Sequence, residues 1–275
     1  MHRRQRSVVA LALGAASVAL VPLSAQAAGA SPLPDVACRY VTAITASNPV
    51  AGPADIDAVA TPGSDAATYA TFERDLLAAS AAAGHNVAKT VRCTPTTVEV
   101  DLLQYGLPIK PPKKVTTVYD SFAVDGSGRV TTFAVNGSPI AGRVVVGTGV
   151  PVTALGTAVT MSSAYLVPRR GGESVKAKNA VLVAVRATAP ADALRDLATG
   201  AATYRLANKQ AIATRTVGQG SPLLPGAGAV WVLQFDGKSL GGTLTVPVVS
   251  KPAALAGPET PMEPAVLTVH EPGAP

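Results

Sequence analysis

Apolar residues recur at two different periods along this chain, and the change from one to the other organises it. From Asp35 onward, Val36, Ala37, Tyr40, Val41 and Ile44 fall at helical spacing, which predicts a helix over 35–46 ended by Pro49, Gly52 and Pro53. A second helix is predicted from a Ser64 or Asp65 cap, with Tyr69, Phe72, Leu76 and Leu77 as its apolar stripe, as far as Gly84. The period then falls from about 3.6 residues to 2. Strands are predicted over 87–93 and over 97–105, where Val98, Val100 and Leu102 alternate with Glu99 and Asp101. A proline-rich loop follows at Pro108, Pro111 and Pro112. Segments 115–124 and 129–136 read as a hairpin across Asp125-Gly126-Ser127-Gly128, and 141–146 as a last strand.

Gly147, Gly149, Pro151 and Gly156 mark a linker, and beyond it only short period-two segments remain. Strands are predicted at 158–167, at 180–189 with Val181, Val183 and Val185 on one face, and once or twice within 203–217, where Tyr204 and Leu206 point the same way. A Pro- and Ala-rich excursion over 190–200 has room for one helical turn. After a turn at Leu223-Leu224-Pro225-Gly226, Trp231, Leu233 and Phe235 share a strand face, and 243–248 closes the set. Six or seven short strands in so short a stretch suggest a sandwich. From Lys251 to Pro275 prolines are frequent and pattern is scarce, so 251–275 reads as a disordered tail in which only Val266 to Val269 could dock.

The first residues change the picture of where this fold operates. Arg3, Arg4 and Arg6 precede an apolar run from Val8 to Val21, Pro22 breaks it, and Ala25-Gln26-Ala27 offers a small-x-small cleavage site. That order is a secretory signal over 1–27, and its apolar run is too short for a spanning helix of about 20 residues. No other stretch could span a bilayer, so the mature chain is expected to be secreted or associated with the cell envelope. Removing the three arginines leaves 20 basic residues against 17 acidic ones, a net charge of about +3. With no basic run and few aromatics (one Trp, six Tyr and four Phe), a nucleic-acid partner is not expected. Two cysteines in an exported chain usually pair, so Cys38 and Cys93 are expected to form a structural disulfide that pins the first helix to the first strand.

Two stretches resemble known folds. The element order over 35–147, and above all Val115-Thr-Thr-Val-Tyr-Asp-Ser-Phe-Ala-Val-Asp-Gly-Ser-Gly-Arg-Val-Thr-Thr-Phe133, resembles the cone-shaped α+β fold of the nuclear transport factor 2-like and SnoaL-like group, although two helices stand where that group often has three. Over 157–250, the segments Ala180 to Ala189, Tyr204-Arg-Leu, Leu224-Pro-Gly, Trp231-Val-Leu-Gln-Phe and Leu244-Thr-Val are similar to an immunoglobulin-like domain found on secreted and lipid-anchored proteins of Gram-positive bacteria, here without the two cysteines of an antibody-type domain. The resemblance implies an actinobacterial source and a two-domain protein: an α+β cone-like unit with helices on a curved antiparallel sheet, then an all-β immunoglobulin-like sandwich. A cone implies a pocket, for which Tyr69, Phe72, Tyr105 and Tyr119 are the candidate lining residues.

Candidate chemistry is sparse. Of His2, His85 and His270, one leaves with the signal and one sits in the tail, so His85 reads as a turn residue after Gly84. No catalytic residue, cofactor site or metal site is assigned. Glu99 and Asp101 share a strand face and read as its solvated side, Asp125 to Gly128 as a turn, Asn136-Gly-Ser138 as an unused glycosylation sequon, and Trp231 as core. The expectation is a non-enzymatic module binding an extracellular protein or envelope component. Two alternatives are a carrier of an apolar small molecule held in the cone, and a steroid-isomerase-like or hydratase-like enzyme using Asp or Tyr in that cavity, which a buried Asp beside a Tyr would favour.

Overall fold

The computed structural model describes residues 33–46, 56–84, 87–104, 113–167, 179–220, 222–250 and 261–273. The expected signal segment over 1–27, His85 and Tyr105 lie outside these. Among the described residues the protein is mostly β, with two named α-helices and three antiparallel sheets, an α+β arrangement. Helices α1 (Leu33–Ile44) and α2 (Asp65–Ala82) come first. On α1 the buried residues are Val36, Ala37, Tyr40, Val41 and Ile44, the stripe that the sequence predicts. Ser64 caps α2, its hydroxyl accepting from the Ala67 amide at 3.3 Å.

The first sheet is a meander of β1 (Val87–Cys93), β2 (Thr97–Gln104), β3 (Lys113–Val124), β4 (Val130–Val135) and β5 (Ser138–Pro139) in that order. A disulfide joins Cys38 on α1 to Cys93 at the end of β1, with Cα atoms 5.7 Å apart, within the range that the bond requires. The turn Asp125 to Gly128 is tied together by Asp125, whose carboxylate accepts from Thr61, Ser127 and Arg129. These bonds, the Thr61 one first, hold its carboxyl well below the usual carboxylate range.

The second sheet runs β13 (Arg215–Gly218), β14 (Gly228–Asp236), β9 (Ala180–Thr188), β8 (Thr157–Val167), β6 (Val144–Val146), with β7 (Val152–Ala154) also on β8. The third holds β10 (Arg195–Leu197), β11 (Thr203–Leu206), β12 (Lys209–Ile212), β15 (Gly242–Ser250) and β16 (Met262–Val269). Second and third sheets bury a common core of Val181, Val183, Val185, Tyr204, Trp231, Leu233 and Phe235, among others, the cluster expected from alternation.

Three expectations need correction. Segment 141–146 does not close the first sheet; its Val144–Val146 pairs β8 in the second. The expected linker contains β7, which turns tightly through Leu155 and Gly156 into β8. The tail is not wholly without structure: β16 pairs β15 from Gly242↔Val269 to Val249↔Met262 and buries Ala265, Leu267 and Val269. Residues 251–260 lie outside the described residues.

The halves are also not separate. Helix α2 lies between β4 on one side and β6, β8, β13 and β14 on the other. Its core continues into Val144, Tyr165, Ala184 and Val232 of the second sheet. Being covered on both sides explains why its buried residues, from Ala66 and Tyr69 to Asp75 and Ala79, circle the helix. Asp75, whose side chain is 1% exposed, accepts from Arg186 Nη2 at 2.6 Å and Nε at 3.1 Å, and from the Ser163 hydroxyl at 3.2 Å. Arg186 is largely exposed and can rehydrate, whereas Ser163 is fully buried. Asp75→Ala is therefore expected to cost about 1–3 kcal/mol, below the 3–5 typical of a wholly buried pair. Urea denaturation of Asp75→Ala, Ser163→Ala and the double variant checks this, since the pair should couple.

Candidate functional site

Burial decides what the expected pocket residues do. Tyr69, Phe72 and Tyr119 are all buried, and they pack on one another. Tyr69 lies edge-on to Phe133 at 5.1 Å, to Tyr165 at 5.3 Å and to Tyr119 at 6.5 Å, and Phe72 meets Tyr165 at 5.4 Å. Tyr165 is contributed by the second sheet, a partner that local sequence could not reveal. The space between α2 and the first sheet is filled here by rings, each favourable pair adding about 0.5–1.5 kcal/mol beyond the area it buries.

Within this cluster lies a carboxyl that the sequence reading passed over. Glu73 is buried, with the Tyr69 hydroxyl 3.5 Å from its Oε2. Burial pushes its pKa up, while Lys89 and the Tyr69 hydroxyl pull it down. Lys89, half-buried on β1, donates to the Thr45 carbonyl at the end of α1, and burial lowers its pKa against the opposing pull of Glu73. Burial likewise raises Tyr40, Tyr69 and Tyr119 well above the usual phenol value. Because the folded-state pKa of Glu73 exceeds its unfolded value, its contribution to stability is full below about pH 4.5 and is lost as pH rises through the raised value. Lys89 acts in the alkaline range: its contribution is present above its unfolded pKa and is lost as pH falls through the lowered one. Glu73→Gln is expected to flatten the fall in stability through the weakly acidic range. Thermal melts of both proteins across that range check it; parallel curves would show that Glu73 does not titrate there.

The other residues singled out by sequence take structural positions. Trp231 is 2% exposed, and its indole N–H donates to the Gln219 carbonyl at 3.0 Å. Glu99 and Asp101 receive Arg92 Nη2 at 2.7 and 3.2 Å, but only Glu99 is solvated as expected: Asp101 is buried and also accepts from the Thr116 hydroxyl at 2.7 Å, because Arg92 and Thr116 on the flanking strands cover it. Among the described residues no group of three His, Cys, Asp or Glu side chains is arranged to hold a metal, and no helix is long and apolar enough to cross a membrane.

Among the described residues an open concave surface lies on the third sheet. A groove of about 820 Å³ runs between the β11–β12 hairpin and the end of β14. Its lining includes Tyr204, Leu206 and Ala211 of the hairpin together with Thr214, Asp236 and Lys238. It exists because the chain leaves β12 at Ala213 and crosses to β13 in the facing sheet, so the two sheets part at this edge. Tyr204 anchors its floor: the hydroxyl donates to the Gly241 carbonyl at 2.9 Å, and burial, with Glu271 nearby, pushes its pKa up to about 12. Ile212, on β12, which ends its sheet among the described strands, is 62% exposed. A smaller groove of about 430 Å³ lies where α1 begins, beside Thr96, Ser121 and Phe122. No signal in the local pattern marks the larger groove, since β12 reads as an ordinary polar strand; it arises from the change of sheet after it.

No protein family, curated protein or solved structure matches the chain.

Proposed function

We propose that this protein is an exported, non-enzymatic binding module that engages an extracellular protein or a component of the cell envelope through the groove beside β12. The open groove carries this reading: it combines apolar lining, an exposed isoleucine and a strand edge unpaired among the described residues, whereas Tyr69, Phe72 and Tyr119 are buried among other rings. The signal-like N-terminus and the Cys38–Cys93 bridge support an oxidising, extracellular setting. In this reading the second and third sheets form an immunoglobulin-like sandwich, and the first sheet with its helices is a cone whose interior is closed by Tyr69, Phe72 and Tyr119. Tagged mature protein is expected to retain a component of Gram-positive envelopes or culture supernatant, and Ile212→Asp to retain roughly tenfold less without loss of stability. Equal retention by the variant would remove the groove from the proposal.

Glu73 favours a second reading, in which this buried acid beside tyrosines serves acid–base chemistry or a bound apolar molecule in the first half. Native mass spectrometry separates the two. The binding-module reading expects the bare mass of the mature chain, and a co-purified apolar molecule would favour the second reading.

A further inference from the structure

The exposed edge of β12 says how a partner would be held. We infer that the groove takes an extended, acidic segment of a partner polypeptide, which adds to β12 as a further strand; this deepens the binding-module reading and rests on it. The register pairs Leu206 with Lys209 and Tyr204 with Ala211, and the Ala213 amide donates to the Ala202 carbonyl. In an antiparallel ladder, residues alternate between turning their N–H and C=O toward the neighbour and away from it. The bonded Ala213–Ala202 pair fixes the phase: Ala211 and Lys209 turn toward β11, and Gln210 and Ile212 turn outward. β12 ends its sheet among the described strands, so these outward groups form a template for strand addition.

The two free ends of this sheet differ. β16, at the other end, carries Pro264, which offers no amide to an incoming chain. β12 has no proline, and its edge adjoins the groove. A segment paired there would send alternate side chains between the sheets, over Leu206 and the Tyr204 ring, which calls for apolar residues at those positions. The remaining side chains would lie beside exposed Ile212. Lys209 at the hairpin end and Lys238 are both exposed and line the groove, where they outnumber its one acid, the partly buried Asp236, and this favours Asp or Glu around the apolar positions.

The test uses the full mature protein and an eight-residue peptide alternating Asp with Val. Its controls are the Lys–Val counterpart and the acidic peptide with alternate amides methylated. Amide exchange followed by NMR should slow at Gln210 and Ile212 with the acidic peptide alone. Reversing Lys209 and Lys238 to Glu should weaken binding about tenfold or more, and added salt should weaken it in the wild type. Ile212→Pro removes an outward amide without touching the pairing to β11, and should abolish binding while leaving the melting temperature near wild type. Strand addition is overturned if the acidic peptide fails to bind at millimolar concentration, or binds without slowing those two amides. Equal binding of the Lys–Val peptide overturns the charge assignment. Partner retention that persists undiminished in Ile212→Asp defeats the underlying site; retention lost in Ile212→Asp but kept in Ile212→Pro defeats strand pairing alone.

Discussion

Replacing Cys38 and Cys93 together by alanine is expected to destabilise the protein by about 4 kcal/mol, the loop-entropy estimate for cross-links 55 residues apart. The closed loop contains all of α2 and ties α1 to β1. Helix α1 has 12 residues, too few to persist alone in water. Its Val36, Tyr40, Val41 and Ile44 must stay docked on the first sheet, with Tyr40 also donating to the Ala66 carbonyl at the start of α2 at 2.8 Å. Without the bridge that docking rests on packing alone. Because α2 belongs to the core of the first sheet and also covers the second, the loss should lower one common transition instead of melting one half first. Urea denaturation followed by circular dichroism measures the midpoint, and a reducing agent on wild type should reproduce it. Two resolved transitions in the variant would show that α2 does not couple the halves; an unchanged midpoint would show that the bridge adds nothing.

Which parts of this fold could be read from sequence follows from which interactions are local. Both helices and β1 to β4 lie close to their expected places, because the apolar period and turn residues that define them sit within each segment. The burial of Val181, Val183 and Val185 was legible for the same reason. Their neighbours Leu182 and Ala184 were the overlooked signal: an apolar run without alternation belongs to a strand covered on both faces, and here the second cover is α2. Glu73 stands between Phe72 and Arg74 like any helix carboxylate, and its burial and its pairing with Lys89 of β1 come from distant segments that the local pattern does not show. β16 was concealed by prolines, although Ala265, Leu267 and Val269 alternate with exposed Val266 and Thr268. The groove has no sequence mark, because it is the gap left when a chain changes sheets.

Trp231→Ala is expected to cost about 3–5 kcal/mol, the range for removing a large aromatic from a packed core. Trp231 lies opposite Val185 in the β14–β9 ladder and opposite Gly218 in the β13–β14 ladder. The indole sits so close to Gly218 that a Cβ there would come within 2.4 Å of its Cδ1. Truncation therefore opens a void on the inner face of the second sheet and leaves the Gln219 carbonyl without the indole donor. The two effects can be told apart. Trp231→Phe keeps most of the volume and loses only the hydrogen bond, so it should cost far less than the alanine variant. Gly218→Ala keeps the tryptophan but forces it aside, and at φ 153° also strains the backbone, so it should destabilise too. With no other tryptophan in the chain, circular dichroism must follow the unfolding. Were Trp231→Ala to melt with the wild type, the ring would not be core, and it would return as a candidate contact for the partner.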